Sequence, residues 1–439
     1  MTTSRSPEIP LVTVDRTEPR YRPVLAWTVL LLLAVFMILN FADRISLALA
    51  AQPLIKELHL SASQFGLISS SFYFLYSISA VGVGFLATRH VPLKWLLLVM
   101  SLLWAATQLP VFFFAGGGVL LGTRIGLGAA EGPATAVANS TAYSWFPREK
   151  RGLPTAVLTS GASLAKIVAA PLLTLLIVRS GWRSAFLALG LAGLVWCAVW
   201  LFAGRTGPFA VTPAAPRKEE RAERRRTFLK VATSRTFIVL LIATYPMYAL
   251  ISVVFSWFPS YLQAGLHFSP ITSGFLFGLP SVIGMVFMLG SGWLTDRLLA
   301  RGVSARVAHG LVPTLALALG GVLLAVLPLA GSSRYLAYFV LVAGYCLTLV
   351  AQPIVYAAIG TAAAPSQRTS VLSLFIALQS TSGIIAPWAT GALLDHADNQ
   401  VDGYNTAFVV IGILCAVGGV VAAFFVDSGR DSARDSERA

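Results

Sequence analysis

Five ionisable side chains, Asp43, Arg44, Arg124, Glu131 and Lys166, interrupt stretches that are otherwise apolar. Arginine and lysine can hold a carboxylate, and a carboxyl group taken out of water can carry a proton, because burial disfavours its ionised form. In RIGLGAAEGP (124–133), Arg124 and Glu131 stand seven residues apart. On a helix that is nearly two turns, which places them on one face about 10 Å apart. The gap is too long for a direct pair, so each must serve another partner. In NFADRISLA (40–48), Asp43 and Arg44 are adjacent. Helical neighbours point about 100° apart and cannot satisfy one another. Asp43 with Arg124 is the expected pair, leaving Arg44 to face a ligand. Two blander readings compete: a buried ion-pair network that only staples helices, and a watery helix end for Asp43 and Arg44.

The elements that hold these residues follow from composition. Hydrophobic residues make up 56% of the 439 and charged residues 11%, with mean hydropathy +0.77. That is too few charges to coat soluble domains of this length, so the chain is expected in a bilayer. Apolar runs long enough to cross a hydrocarbon core of roughly 30 Å occur at twelve places. They are 24–50, 63–87, 92–115, 117–145, 152–178, 183–204, 236–264, 270–298, 305–330, 333–362, 368–395 and 403–426. Backbone polar groups in lipid must be satisfied internally, so these twelve transmembrane spans are predicted to be helices of an all-α membrane protein. The first span is too long for a signal peptide and is expected to remain. A charge at the depth of such spans costs roughly 2.5 to 3.5 kcal/mol, so those that persist should face a cavity and have partners. Cys197, Cys346 and Cys415 lie within spans, scattered, and read as apolar fillers.

Placing both termini in the cytoplasm puts 25 of the 32 basic residues on that side. Only Lys56, Arg179, Arg183 and Arg334 fall opposite, and Arg44, Arg124 and Lys166 within spans. A cytoplasmic (inner) membrane and basic loops facing anionic lipid account for the +14 net charge without nucleic acid.

The chain reads as written twice. A 1–23 tail precedes a first group of six spans (24–204), a basic linker (205–235) follows, then a second group of six (236–426) and a 427–439 tail. GFLATR (84–89) after the second span is echoed by GWLTDR (292–297) after the eighth. Glu131-Gly132-Pro133 in the fourth span is answered by Gln352-Pro353 in the tenth, and Ala170-Pro171 in the fifth by Ala386-Pro387 in the eleventh. Such echoes suit a duplicated six-helix transporter. The chain resembles the major facilitator superfamily over nearly all of 24–426. Asp296 and Arg297 of GWLTDR, with Arg301, look like the loop motif after the eighth helix, which implies a pairing or gating role for them. Thr88 stands where the family usually carries an aspartate, which puts the corresponding ion pair in doubt.

NFADR in the first span and RIGLGAAEG in the fourth further resemble the anion:cation symporter branch, which includes importers of sugar acids, dicarboxylates and aromatic acids. The resemblance implies carboxylate binding by Arg44, proton-linked roles for Asp43 and Glu131, and pairing or gating by Arg124. Tyr76 falls where a tyrosine often lines the pocket, whereas Tyr73, one turn earlier, suits packing. Lys166 departs from the pattern, which usually has a small or uncharged residue in the fifth span. It could pair with Glu131 or meet a second anionic or carbonyl group on the substrate. In the second group, Gln379 and Ser382, with Gln352, Ser380, Thr381, Tyr245, Tyr248 and Trp257, are candidates for hydroxyl recognition, or helix-packing residues. Asp395, His396, Asp398 and Asp402 gather beyond the eleventh span without metal-ligand spacing.

With both acids ionised the five deep groups sum to +1, and with Glu131 protonated to +2, a bias toward anions. The expectation is a secondary transporter that imports a small organic anion by proton symport with alternating access, as a monomer, with no cofactor besides the coupling proton. An anion exchanger or uniporter of the same fold is the runner-up, and a non-transporting sensor is a more distant alternative. No nucleophile, base or metal cluster suits an enzyme, and no Walker stretch suits direct ATP drive.

Overall fold

A computed structural model describes residues 21–114, 116–210, 226–304, 306–363 and 367–425. The described chain is helical throughout, without strands. Ten helices are long and apolar enough to cross a membrane, among them Pro23–Leu49, Leu93–Phe113, Trp182–Ala203, Pro270–Ala300 and Gln400–Phe425. Their outward faces keep large apolar side chains exposed, including Phe74, Phe113, Phe202, Phe275, Phe339 and Phe424. A surface of that kind is stable against lipid, not water, and the chain is a multi-pass membrane protein.

Two predicted spans are filled differently. The fourth is two helices, Gly117–Glu131 and Ala134–Tyr143, joined at Gly132-Pro133. Proline at 133 has no N–H to continue the ladder, so the break falls directly after Glu131. The ninth comprises a wide-turned stretch, Arg306–Leu311, then Val312–Ala325 and a short 3-10 turn, Leu327–Ala330. The fifth span is helical from Gly152 to Ser180 but widens to π geometry over Ala165–Ala169. A short helix not expected from the sequence, Ala51–Leu58, follows the first span.

Local chemistry sets several helix starts. The second span's helix opens with a capping box: Gln64 N–H donates to Ser61 Oγ, and Ser61 N–H donates to Gln64 Oε1. Ser234, Ser269 and Ser333 cap the starts of the seventh, eighth and tenth. Gly181, with φ of 81°, makes the turn between the fifth and sixth in a conformation that side chains with a Cβ rarely adopt.

One end of the bundle gathers the start of the first span and the end of the last: Trp27 meets Phe146 edge-on, and Arg235 lies over the Phe425 ring. Here the linker's first residues fold back, Phe209 N–H donating to the Ser144 carbonyl. The predicted tails lie almost wholly outside the described residues, as does the linker between 211 and 225. At the other end, called distal here, the first six spans meet the last six along a close seam. The backbone at Pro387 occupies the place where a Cβ on Gly66 would sit, and the Ala62 carbonyl does the same for Gly391. Deeper along the seam the Ser77 and Ser380 hydroxyls bond at 2.7 Å. Gln52 reaches across to Ser260, and Ser70 Oγ accepts the Trp388 N–H at 3.1 Å. On the other flank, Gly278 packs against the backbone of Lys166.

Candidate functional site

The stretch 124–133 builds the site through residues it omits as well as residues it carries. At Gly128 the carbonyl of Phe72 fills the volume of an absent Cβ, and at Gly132 the Tyr76 carbonyl and Ser79 do so. The second span therefore lies directly against the fourth and delivers Phe72 and Tyr76 to the first span's Arg44. The Arg44 guanidinium lies 4.6 Å from the Tyr76 ring centre, 5.0 Å from Phe72 and 5.1 Å from Phe41. Its Nε donates to Glu131 Oε2 at 2.5 Å. A cation held by three aromatic faces and one carboxylate is strongly placed, since each face and the carboxylate attract it.

This corrects the expectation that Arg44 is unpaired. Arg124 does not take the Asp43 carboxylate either. Its Nη1 donates to the Asp43 main-chain carbonyl at 3.0 Å, and its Nη2 to Ser46 Oγ at 3.2 Å, with Phe186 beneath it. The arginine reaches the first span at the level of its backbone, so the adjacent carboxylate is left beside Gln108 and Glu131. Arg124 and Glu131 form no direct ion pair, in keeping with their spacing. Asp43 Oδ1 and Glu131 Oε1 are buried without hydrogen-bond partners, as are both amide atoms of Asn40, one turn before Arg44. Asp43 is 4% exposed and the Arg44 side chain 13% exposed and paired, which removes the watery helix end as an account of Asp43 and Arg44.

A cavity of about 20 Å³ opens between the two groups of spans, lined by Arg44, Phe72, Tyr73, Arg124, Phe255 and Ser256. It has room for about one water, so an organic ligand would require it to widen. Tyr73, expected as packing, lines the cavity and meets Tyr248 edge-on. Lys166 forms no ion pair with Glu131. Its Nζ sits 5.1 Å from the Phe255 ring centre, on the wide turn of the fifth span.

Gln379 and Ser382 do not face the cavity. Gln379 Nε2 donates to Thr244 Oγ1 at 2.5 Å, and its Oε1 accepts from the Tyr356 hydroxyl at 3.1 Å. The Ser382 hydroxyl donates to the Gln379 carbonyl at 2.8 Å, as serines within helices commonly do. The Asp296 side chain lies outside the described residues, and Thr88 likewise. Arg297 is exposed over the Trp293 ring. Asp395, expected to be unremarkable, is a residue that sequence reasoning missed. Its two oxygens accept the Ala62 and Ser63 N–H groups at 2.8 and 2.9 Å, capping the second span's helix from across the seam.

The sequence model described as Major Facilitator Superfamily matches residues 29–348 and 298–439. The chain is 30% identical over 291 residues to a protein of Oryza sativa subsp. japonica described as a probable anion transporter, chloroplastic. That match covers 63% of this chain, and the chain spans about half (49%) of that relative. It is 26% identical over 402 residues to the hexuronate transporter of Bacillus subtilis, covering 91% of this chain and 94% of the relative. In structure it is similar to a bacterial homolog of the human lysosomal transporter Spinster in its inward-facing, occupied conformation. The TM-score is 0.78 at 16% identity, covering 93% of this chain and 98% of that one.

Proposed function

Because this chain belongs to the Major Facilitator Superfamily and is not an enzyme, we propose that it is a secondary active transporter that imports a small organic anion together with a proton. It does so by alternating access, as a monomer with twelve transmembrane helices and both termini in the cytoplasm, in the inner membrane. The full-length similarity to a hexuronate transporter supports a carboxylate substrate.

The observation that carries the reading is the Arg44–Glu131 pair inside a cluster with more cations than acids. While Glu131 is ionised it occupies the guanidinium that an entering carboxylate needs. A proton on Glu131 removes that competition and raises the local charge from +1 to +2. Arg44 then offers its remaining N–H donors to the substrate in a bidentate grip. Asp43, buried beside Glu131 with an unpartnered oxygen, is coupled to the same proton. Binding energy that exists only when both proton and anion are present is what makes transport coupled instead of leaky. The distal seam is closed, and in the proposed cycle its parting opens the site to that side.

Glu131→Gln tests the coupling in proteoliposomes. The variant exchanges substrate in counterflow but no longer accumulates it under an imposed pH gradient. Accumulation by the variant against a gradient would overturn the assignment.

A further inference from the structure

Lys166 is 8% exposed, and among the described residues it makes neither a hydrogen bond nor an ion pair. Its Nζ lies over the face of Phe255, 5.1 Å from the ring centre. That same ring lines the cavity that Arg44 and Arg124 line. It also meets Phe41 at 6.4 Å, and Phe41 carries the Arg44 guanidinium at 5.1 Å. Two cations thus flank one aromatic wall. Arg44 has a carboxylate at hand, and Lys166 has none.

The placement of Lys166 is equally specific. It sits on the wide turn Ala165–Ala169, packed by Gly278 of the eighth span and next to Cys346 of the tenth. It therefore belongs to the first six spans yet stands at the face of the last six. With Glu131 protonated, Asp43, Arg44, Arg124 and Lys166 sum to +2. A monoanion leaves that cluster half compensated, whereas a dianion cancels it.

Building on the function proposed above, we infer that Lys166 is a second anion subsite, so that the preferred substrate is a two-headed organic anion. One carboxylate lies on Arg44 and the other anionic group on Lys166, with the chain of the molecule along Phe255. Such a ligand ties the first group of spans to the face of the second, which couples its full occupancy to the change in access.

The test compares two six-carbon sugar acids that differ at one end: glucuronate, with one carboxylate, and glucarate, with two. Binding to the purified full-length protein is measured by calorimetry for the wild type, Lys166→Met and Lys166→Arg. The wild type binds glucarate at least tenfold more tightly than glucuronate. Lys166→Met lowers glucarate affinity at least fivefold more than glucuronate affinity and so loses most of that preference, with an unchanged Tm reporting an intact fold, and Lys166→Arg keeps most of it. Equal wild-type affinity for the two acids, or an equal fall for both in Lys166→Met, would overturn the subsite and leave the organic-anion reading standing. If neither acid binds the wild type, the parent reading fails and this inference with it.

Discussion

The polar clusters at the centre of the two groups of six spans differ in charge and in how far their atoms are partnered. In the second, Gln352 donates to Tyr356, Tyr356 to Gln379, and Gln379 to Thr244, a neutral chain in which donors meet acceptors. In the first, Asn40, Asp43 and Glu131 keep buried atoms without partners beside two arginines and a lysine. A satisfied neutral network fixes a shape and has no titratable member near neutral pH. An under-satisfied charged cluster is costly to bury, and its balance turns on a single proton. On the function proposed above, that difference would put coupling in the first group and a rigid counter-surface in the second.

Substitutions at four positions can break or sharpen that contrast. The largest effect is expected from Arg44→Ala, which removes the carboxylate anchor and strands Glu131 without its counter-charge. A loss of about 2 to 5 kcal/mol in substrate binding is expected, read as the affinity in counterflow. Arg44→Lys recovers only part of it, because an ammonium lacks the planar fork. Gln379→Ala comes next. It leaves Thr244 and Tyr356 short of a partner, for about 1 to 3 kcal/mol of stability, visible as a lower Tm. Its pH profile of uptake should match the wild type, and a shifted profile would place proton coupling in the second group too.

A smaller effect follows from Asp395→Asn, which takes the charge from the cap on the second span's helix. About 0.3 to 1 kcal/mol is at stake, so the distal seam opens a few-fold more often. A cysteine placed at Ser69 and labelled by a membrane-impermeant maleimide reports this, since the three native cysteines are buried. Unchanged labelling would show that the cap is incidental. The smallest effect belongs to Glu57, outside the spans. The Trp182 indole N–H and then Arg183 hold its carboxyl below the usual range. Because the folded value is depressed, the stabilisation is complete above the ordinary carboxyl range. It fades as pH falls through the depressed value. Both side chains are substantially exposed, so Glu57→Gln should cost under about 1 kcal/mol. The Tm difference from wild type should shrink as the pH is lowered through the depressed value, and a difference that persists at the acid end would mean the contact is not electrostatic.

The sequence was most informative where a single helix decides the outcome. Apolar length located the helices, and the seven-residue spacing of Arg124 and Glu131 correctly denied them a direct pair. Partnership across helices was less legible, because a helical wheel gives a face but not the rotation or height at which two faces meet. Arg124 meets the first span at its backbone, a contact that side-chain types do not encode. Arg44 therefore pairs with Glu131. Gln379 and Ser382 satisfy their polar atoms among neighbours and on their own helix, which a count of hydroxyls and amides in a span does not show. The cap from Asp395 comes from 333 residues away, beyond any local capping pattern. Lys166 was visible as an anomaly, but the widened turn beneath it was not.

At Gly66 and Gly391 the distal seam closes over missing side chains instead of interlocking ones. A single methyl added at either position would act as a wedge, since the atoms it meets are main chain and cannot swing aside. Such a protein would keep its ligand cluster intact and still be jammed in mid-cycle, unable to shut one door. That makes two unobtrusive glycines a handle for arresting the molecule in the posture opposite to the one described here.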